Sequence, residues 1–201
     1  LGPILETAYI DEFEDPEAVS ISEETFHGIQ TSLRGIYMDM DVPMEVRRRI
    51  LEGSVRAPKK WHEEAIRDAY SSDDELWRLT AVFCMRYVRG FDTQILEALK
   101  SENEEIHYEA VCAAGNWGLD AAWSHIARLA ISELTDKWLR LAAIEGVASI
   151  RPQEAAGILS EVSQSHDEDI AEVAFEAMAM SGLLPDDDYD DDGDWDERTL
   201  H

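Results

Sequence analysis

One pattern recurs five times along this chain at an almost constant spacing of 30 to 32 residues. Each copy opens with an apolar residue, and small or apolar residues follow four and five positions later. The copies begin at Val46, Leu76, Ile106, Trp138 and Ile170. Such a period is typical of stacked helix pairs, because each unit buries its apolar face only against its neighbours. The sequence therefore predicts an all-α fold, an α-solenoid of about five helical hairpins.

The apolar periodicity divides each repeat into a first (A) helix and a second (B) helix. The predicted A helices span residues 59–70, 93–100, 121–131 and 152–163. The predicted B helices span residues 44–56, 74–89, 104–117, 136–150 and 168–182. Acidic residues gather where the B helices begin, where negative charge complements the helix dipole, and Gly90, Gly118 and Gly182 are expected to close three of them. A further helix should begin near residue 21, and a short one is expected within residues 4–13.

The chain is strongly acidic, with 44 Asp and Glu against 17 Lys and Arg and a net charge of −27. More than half of this charge lies in residues 1–25 and 186–201. This uneven distribution predicts an acidic arm (1–20), the solenoid (21–184) and an acidic disordered tail (185–201). Nucleic acid and anionic membrane surfaces are not expected partners, because both require clustered Lys and Arg.

The two cysteines, Cys84 and Cys112, fall among apolar neighbours inside predicted helices. Such positions are typical of small core residues in a reducing compartment. No apolar run approaches the roughly 20 residues that a membrane-spanning helix needs. We therefore expect a cytoplasmic protein.

The segment from Asn103 to Gly115, NEEIHYEAVCAAG, resembles the second helix of a HEAT repeat, and specifically the short HEAT-like type first noted in phycobilin lyases. Residues 136–150 and 167–180 resemble it equally well, and the copies beginning at Val46 and Leu76 are weaker. The resemblance covers roughly residues 21–184. It implies a right-handed solenoid whose B helices line a concave surface that binds other molecules. The tetratricopeptide and ankyrin signatures do not occur.

The position two residues after each repeat start is rich in arginine. It holds Arg48, Arg78, Tyr108, Arg140 and Glu172. If the B helices line the concave surface, this row is one candidate site for an acidic or aromatic partner segment. The alternative is structural, because arginine near this point of a HEAT repeat often pairs with an acid of the adjacent unit.

Tryptophan supplies a second set of candidates. Trp117, next to Asn116 at the end of a B helix, is the expected partly exposed anchor for a partner, with packing at the rim as its alternative. Trp138 opens a repeat and is expected in the core. Trp61 and Trp123 lie early in A helices and are expected to pack between helices.

No motif predicts a cofactor or a catalytic centre. The histidines are not clustered as a metal centre requires, and no phosphate loop, nucleophile elbow or catalytic triad order appears. The weak candidate is a calcium loop in the tail, where oxygens recur at alternate positions around Gly193. It comprises Asp188, Asp190, Asp192, Asp194 and Asp196. Thr199 stands where the final bidentate acid belongs, so a solvated acidic tail is the stronger interpretation.

These observations predict a non-catalytic scaffold that binds a protein or peptide, with an acidic segment as the expected partner. Two alternatives stay open. The phycobilin-lyase resemblance implies an accessory lyase or chaperone-like subunit that holds a chromophore or a client. The acidic composition allows a mimic that occupies a nucleic-acid-binding protein.

Overall fold

The computed structural model describes residues 2–14 and 21–183, and every regular element in these ranges is helical. The all-α prediction is therefore confirmed. The helices are α1 (Gly2–Glu14), α2 (Glu23–Met38), α3 (Met44–Ser54), α4 (Trp61–Tyr70), α5 (Glu75–Cys84), α6 (Asp92–Ala98), α7 (Glu104–Asn116), α8 (Trp123–Ile131), α9 (Lys137–Ile150), α10 (Pro152–Val162) and α11 (Glu168–Met180). A 3₁₀ turn over Asp120–Ala122 precedes α8. The candidate calcium loop lies outside the described residues, as do residues 15–20 and 184–201.

Most predicted boundaries agree with the observed helices to within a few residues. The main difference is α5, which ends at Cys84 although the periodicity continues to Arg89. Its last turn tightens, since Tyr87 N donates to Cys84 O at 3.0 Å, and the chain then turns through Gly90 at φ 95°. Gly118 and Gly182 likewise adopt positive φ, the backbone conformation in which glycine is favoured at a helix end.

The helices pack in a regular order. Each odd-numbered helix from α3 to α11 packs against the even-numbered helix before it, and the odd-numbered helices also contact one another in the series α1, α3, α5, α7, α9, α11. One cluster of buried side chains extends from Tyr37 to Ala177. A second, small cluster lies beneath α1 and contains Leu5, Ala8, Phe26 and Ala57. The predicted N-terminal arm therefore includes a helix that is docked on α3.

Side-chain caps fix where four of the odd-numbered helices begin. Each cap accepts hydrogen bonds from the backbone N–H groups two and three residues further on, which satisfies groups that lack a partner inside the helix. The caps are Asp74, Asn103, Asp136 and Asp167. The residue three positions after each cap packs into the core, namely Trp77, Ile106, Leu139 and Ile170.

The position of a residue counted from the cap, or from the residue preceding a helix without one, is called here its capping register. It corrects the expectation that Trp138 lies in the core. The side chain lies two positions after its cap and is 70% exposed, while the next residue, Leu139, packs against the core. Leu76 in α5 is exposed for the same reason. In both helices the inward position follows the apparent repeat start by one residue.

Small residues bring α7 and α9 into close contact. Ala110 and Ala143 are fully buried there. A Cβ atom built on Gly115 would lie only 3.0 Å from the Cα atom of Gly146. The alanines that the repeat pattern places at this contact, together with the two glycines, therefore set a short separation between the two helices.

Candidate functional site

The structure does not gather the predicted arginine row into one surface. Arg48 is buried, and its Nη1 atom donates to Leu76 O at 2.8 Å and to Thr80 Oγ1 at 3.2 Å in the next odd-numbered helix. Arg78 Nη2 donates to Ser72 O at 3.2 Å, and Arg140 Nε donates to Ala130 O at 3.0 Å. The three arginines are therefore used within the protein, as in the alternative of arginine–acid pairing between units. Their acceptors, however, are backbone carbonyls and not the carboxylates expected there.

The capping register explains this difference. Arg47, Arg78 and Arg140 are the equivalent residues, each four positions after the residue that precedes its helix. Arg47 Nε donates to Tyr37 O at 2.7 Å, just as Arg140 reaches Ala130. Both acceptors are the penultimate residues of the preceding helices, whose last carbonyls have no partner within the helix. These arginines therefore hold the turn before their own helix in place.

Trp117 is likewise used internally. Its Nε1 atom donates to Met85 O at 2.7 Å, and the Arg89 guanidinium lies 4.4 Å from the centre of its ring. The half-buried indole stabilises the turn that follows α5, which is the rim-packing alternative. The neighbouring Asn116 is exposed and lines a groove.

That groove lies on a face of the odd-numbered helices that the capping register defines. It carries the residues nine and thirteen positions after the residue preceding each helix. In α7, α9 and α11 these two residues lie one helical turn apart, whereas Arg56 and Tyr87 follow the ends of α3 and α5. From α3 to α11 these are Glu52 and Arg56, Phe83 and Tyr87, Cys112 and Asn116, Glu145 and Ser149, Glu176 and Met180. We call this surface the odd-helix face. Its last six residues together line a cavity of about 540 Å³ across α7, α9 and α11.

The first part of the odd-helix face is covered by its own side chains. The Arg56 guanidinium lies 5.7 Å and 5.3 Å from the ring centres of Phe83 and Tyr87. Arg56 Nη1 also donates to Glu6 Oε2 of α1 at 2.6 Å. The open part therefore begins beyond α5.

A partly buried ion pair borders the open cavity. Arg86 Nη1 donates to Glu109 Oε2 at 3.1 Å, and both side chains are mostly shielded from solvent. Burial raises the pKa of Glu109, and the Arg86 charge opposes this rise. Arg86 Nε is buried and has no hydrogen-bond acceptor among the described residues. The guanidinium thus retains one unused donor beside the cavity.

Tyr108 and Cys112 lie next to this pair on α7. Burial is the main reason why the pKa of Tyr108 rises to about 12 and why that of the Cys112 thiol is also raised. The thiolate is the reactive form of cysteine, so the raised pKa makes Cys112 a weaker nucleophile than an ordinary exposed cysteine. Both cysteines are free thiols, and Cys84 is fully buried.

The open cavity is apolar along its walls and acidic at its rim. Val173, Ala177 and Met180 supply apolar surface from α11. Glu145 and Glu176 are exposed, and neither forms an ion pair within residues 2–14 and 21–183. The charges left open in this cavity are therefore negative.

A second cavity, of about 620 Å³, lies towards the starts of α7 and α9 and contains Tyr108. Leu134 and Trp138 project at its edge, with Leu134 98% exposed. Glu109 lines this cavity and its partner Arg86 lines the first, so the ion pair separates the two. An exposed tryptophan next to an apolar cavity is typical of a binding hot spot.

Two contacts within the described residues involve histidine side chains. His107 Nε2 and His125 Nε2 lie 2.9 Å apart between α7 and α8, and burial lowers the pKa of both imidazoles. His62 Nε2 contacts Ser54 Oγ at 3.0 Å, but both side chains are buried away from any substrate. No group of three or more His, Cys, Asp or Glu side chains in the described part of the chain is placed to hold a metal ion.

Of the residues that the sequence predicts as a site, only Tyr108 and Asn116 line these two cavities. The sequence predicts no role for Arg86 or Glu145, and it predicts Trp138 in the core. The signal that would have found Glu145 is the cap itself. Counting nine residues from Asp136 and from Asp167 gives Glu145 and Glu176. Counting from the apolar repeat starts shifts α9 by one residue relative to α11, which mixes different faces of the helices.

Comparison of the sequence with protein-family models gives no match, and comparison with curated proteins gives none either. None of the helices in the described ranges is both long enough and apolar enough to cross a membrane.

Proposed function

We propose that this chain is a HEAT-like α-solenoid that acts as a non-catalytic scaffold and binds a segment of another protein on its odd-helix face. The alternation of odd-numbered and even-numbered helices supports this architecture, because the odd-numbered helices contact one another in series, as the B helices of stacked repeats do. In this proposal the odd-helix face is the concave surface, and α1 takes the place of a B helix at the N-terminal end.

The observation that carries the proposal is the alignment of two sets of three equivalent residues on one cavity. Cys112, Glu145 and Glu176 occupy the same position in α7, α9 and α11, and the residues one turn later lie beside them. An extended segment crossing the three helices would meet side chains from the same two helix positions at each step, with a carboxylate on α9 and on α11. Repeat proteins bind extended partners on such surfaces.

The open charges define the partner's chemistry. The acidic partner expected from the sequence relied on Arg48, Arg78 and Arg140, which donate to backbone carbonyls. The rim instead presents Glu145 and Glu176 beside apolar side chains. We therefore propose a basic partner segment with small apolar residues between its Lys or Arg side chains.

The test is comparative capture of partners by two matched variants. Glu145→Lys with Glu176→Lys reverses both rim charges. Glu102→Lys with Glu161→Lys makes the same change of net charge at exposed acids that line neither cavity. Both variants, and the unchanged chain, would be used as bait, with captured proteins quantified by mass spectrometry.

We expect the rim variant to lose the proteins that the unchanged chain and the control variant retain. The loss should be about tenfold or more, because each reversed contact replaces attraction with repulsion. Equal loss in both variants would show that only bulk charge matters. Equal retention would place the binding surface elsewhere.

A further inference from the structure

A second surface, remote in sequence from the odd-helix cavity, surrounds the turn between α2 and α3. Met38, Met40 and Met44 lie here, which is half of the six methionines in the chain. All three are exposed, and Met40 is 77% exposed. We call them the methionine patch. Methionine side chains are flexible and polarisable, so they adapt to apolar partners of different shapes.

The methionine patch borders a cavity of about 450 Å³ with an aromatic floor. Tyr37 and Trp77 line it, with their ring centres 6.4 Å apart in an edge-to-face arrangement. Arg47 lies over both rings, 5.3 Å and 6.0 Å from their centres, and donates to Tyr37 O. This arginine is thus already engaged with the protein's own groups.

Acidic side chains surround the methionine patch. On α4, Glu64 and Asp68 are one turn apart, line the same cavity and are exposed. Asp39, Asp41 and Glu45 are exposed on the turn and at the start of α3. None of these five carboxylates forms an ion pair within the described residues. An apolar surface with an unneutralised negative rim is complementary to an apolar stripe flanked by positive charges.

We propose that the methionine patch is a docking surface for a basic amphipathic helix of another protein. The apolar stripe of that helix contacts the three methionines above Tyr37 and Trp77. Its Lys or Arg side chains reach Glu64 and Asp68 on one side and the acids of the turn on the other. The same acids repel an anionic bilayer. The proposal does not depend on the odd-helix face.

The methionines provide the probe for the test. The ε-methyl groups of Met38, Met40 and Met44 report on the patch, Met180 reports on the odd-helix cavity, and buried Met85 serves as an internal reference. The full chain, with ¹³C-labelled methionine methyls, is titrated with a synthetic helix of about five turns made only of Leu and Lys in an amphipathic order. A scrambled peptide of the same composition is the control.

We expect saturable shifts at Met38, Met40 and Met44 with the amphipathic peptide, no change at Met85, and weaker shifts with the scrambled peptide. Glu64→Lys with Asp68→Lys should weaken the patch affinity by about tenfold, since two attractive contacts become repulsive. Glu102→Lys with Glu161→Lys should leave it unchanged.

Three results would overturn the proposal. Equal shifts with the scrambled peptide would reduce the effect to bulk charge. Unchanged affinity in the Glu64 and Asp68 variant would remove the acidic rim from recognition. Shifts of the three methyls that depend on protein concentration alone would identify a second copy of this chain as the occupant.

Discussion

The close contact between α7 and α9 predicts that replacing glycine with alanine has different effects on stability at Gly115 and at Gly157. Gly115 is buried at this contact, and an added Cβ atom would meet the Cα atom of Gly146 at 3.0 Å. Gly157 in α10 is exposed, and a Cβ atom there would meet nothing within 4 Å. Alanine at either position gains helix propensity, up to about 1 kcal/mol.

The difference between the two variants isolates the cost of separating the helices. Gly157→Ala should raise the free energy of unfolding by about 0.5–1 kcal/mol. Gly115→Ala receives no more than that gain and must also move a neighbouring backbone, which costs about 1–3 kcal/mol. The two melting temperatures should therefore differ by several degrees, at about 2–4 °C per kcal/mol for a chain of this size.

The assay is urea unfolding followed by circular dichroism, together with thermal melts of both variants and the unchanged chain. If Gly115→Ala stabilises the protein as much as Gly157→Ala, the reasoning fails. Such a result would mean that α7 and α9 separate at no cost, and that Gly115 and Gly146 do not set the distance between them.

Two further predictions concern titratable groups. Burial lowers the pKa of His62 to about 4 from its ordinary 6.5, so the unfolded chain binds the proton more tightly. The free energy of unfolding should fall as pH drops from 6.5 towards 4, by up to about 3 kcal/mol, and urea titrations of His62→Gln should show a shallower pH dependence. Arg86→Met should lower the free energy of unfolding at pH 7 by about 2–3 kcal/mol, because Glu109 stays buried without its counter-ion. Burial raises the pKa of Glu109, so more of this carboxyl is protonated at pH 5 and the stability lost in Arg86→Met should be smaller there. Equal losses at pH 7 and pH 5 would show that the unpaired Glu109 charge is not their cause.

The helices could be predicted from the sequence because their apolar spacing is local. Which side of each helix faces the core could not be predicted from that spacing alone. In Leu76–Trp77 and Trp138–Leu139, two large apolar residues are adjacent, and periodicity does not show which one faces inward. The cap decides it, since Asp74 and Asp136 fix the first turn.

The hydrogen-bond partners of the arginines could not be predicted from the sequence. Nothing near Arg48 in the sequence indicates that its guanidinium will meet Leu76 O, because that contact depends on how α3 packs against α5. The early end of α5 has a similar origin. Met85 and Val88 continue the apolar pattern, yet they are buried within a turn that the Trp117 indole contacts. The rim acids Glu145 and Glu176, by contrast, follow from the caps by counting.

The separate small core beneath α1 has a consequence for competition. Leu5 and Ala8 belong to a cluster that is separate from the main core, and Glu6 adds one ion pair to Arg56. Lifting α1 away therefore leaves the main core buried and removes the Glu6 carboxylate from Arg56, whose guanidinium still lies over the Phe83 and Tyr87 rings. Under the proposed function, α1 competes with a partner segment for the first part of the odd-helix face, because Glu6 already pairs with Arg56 there.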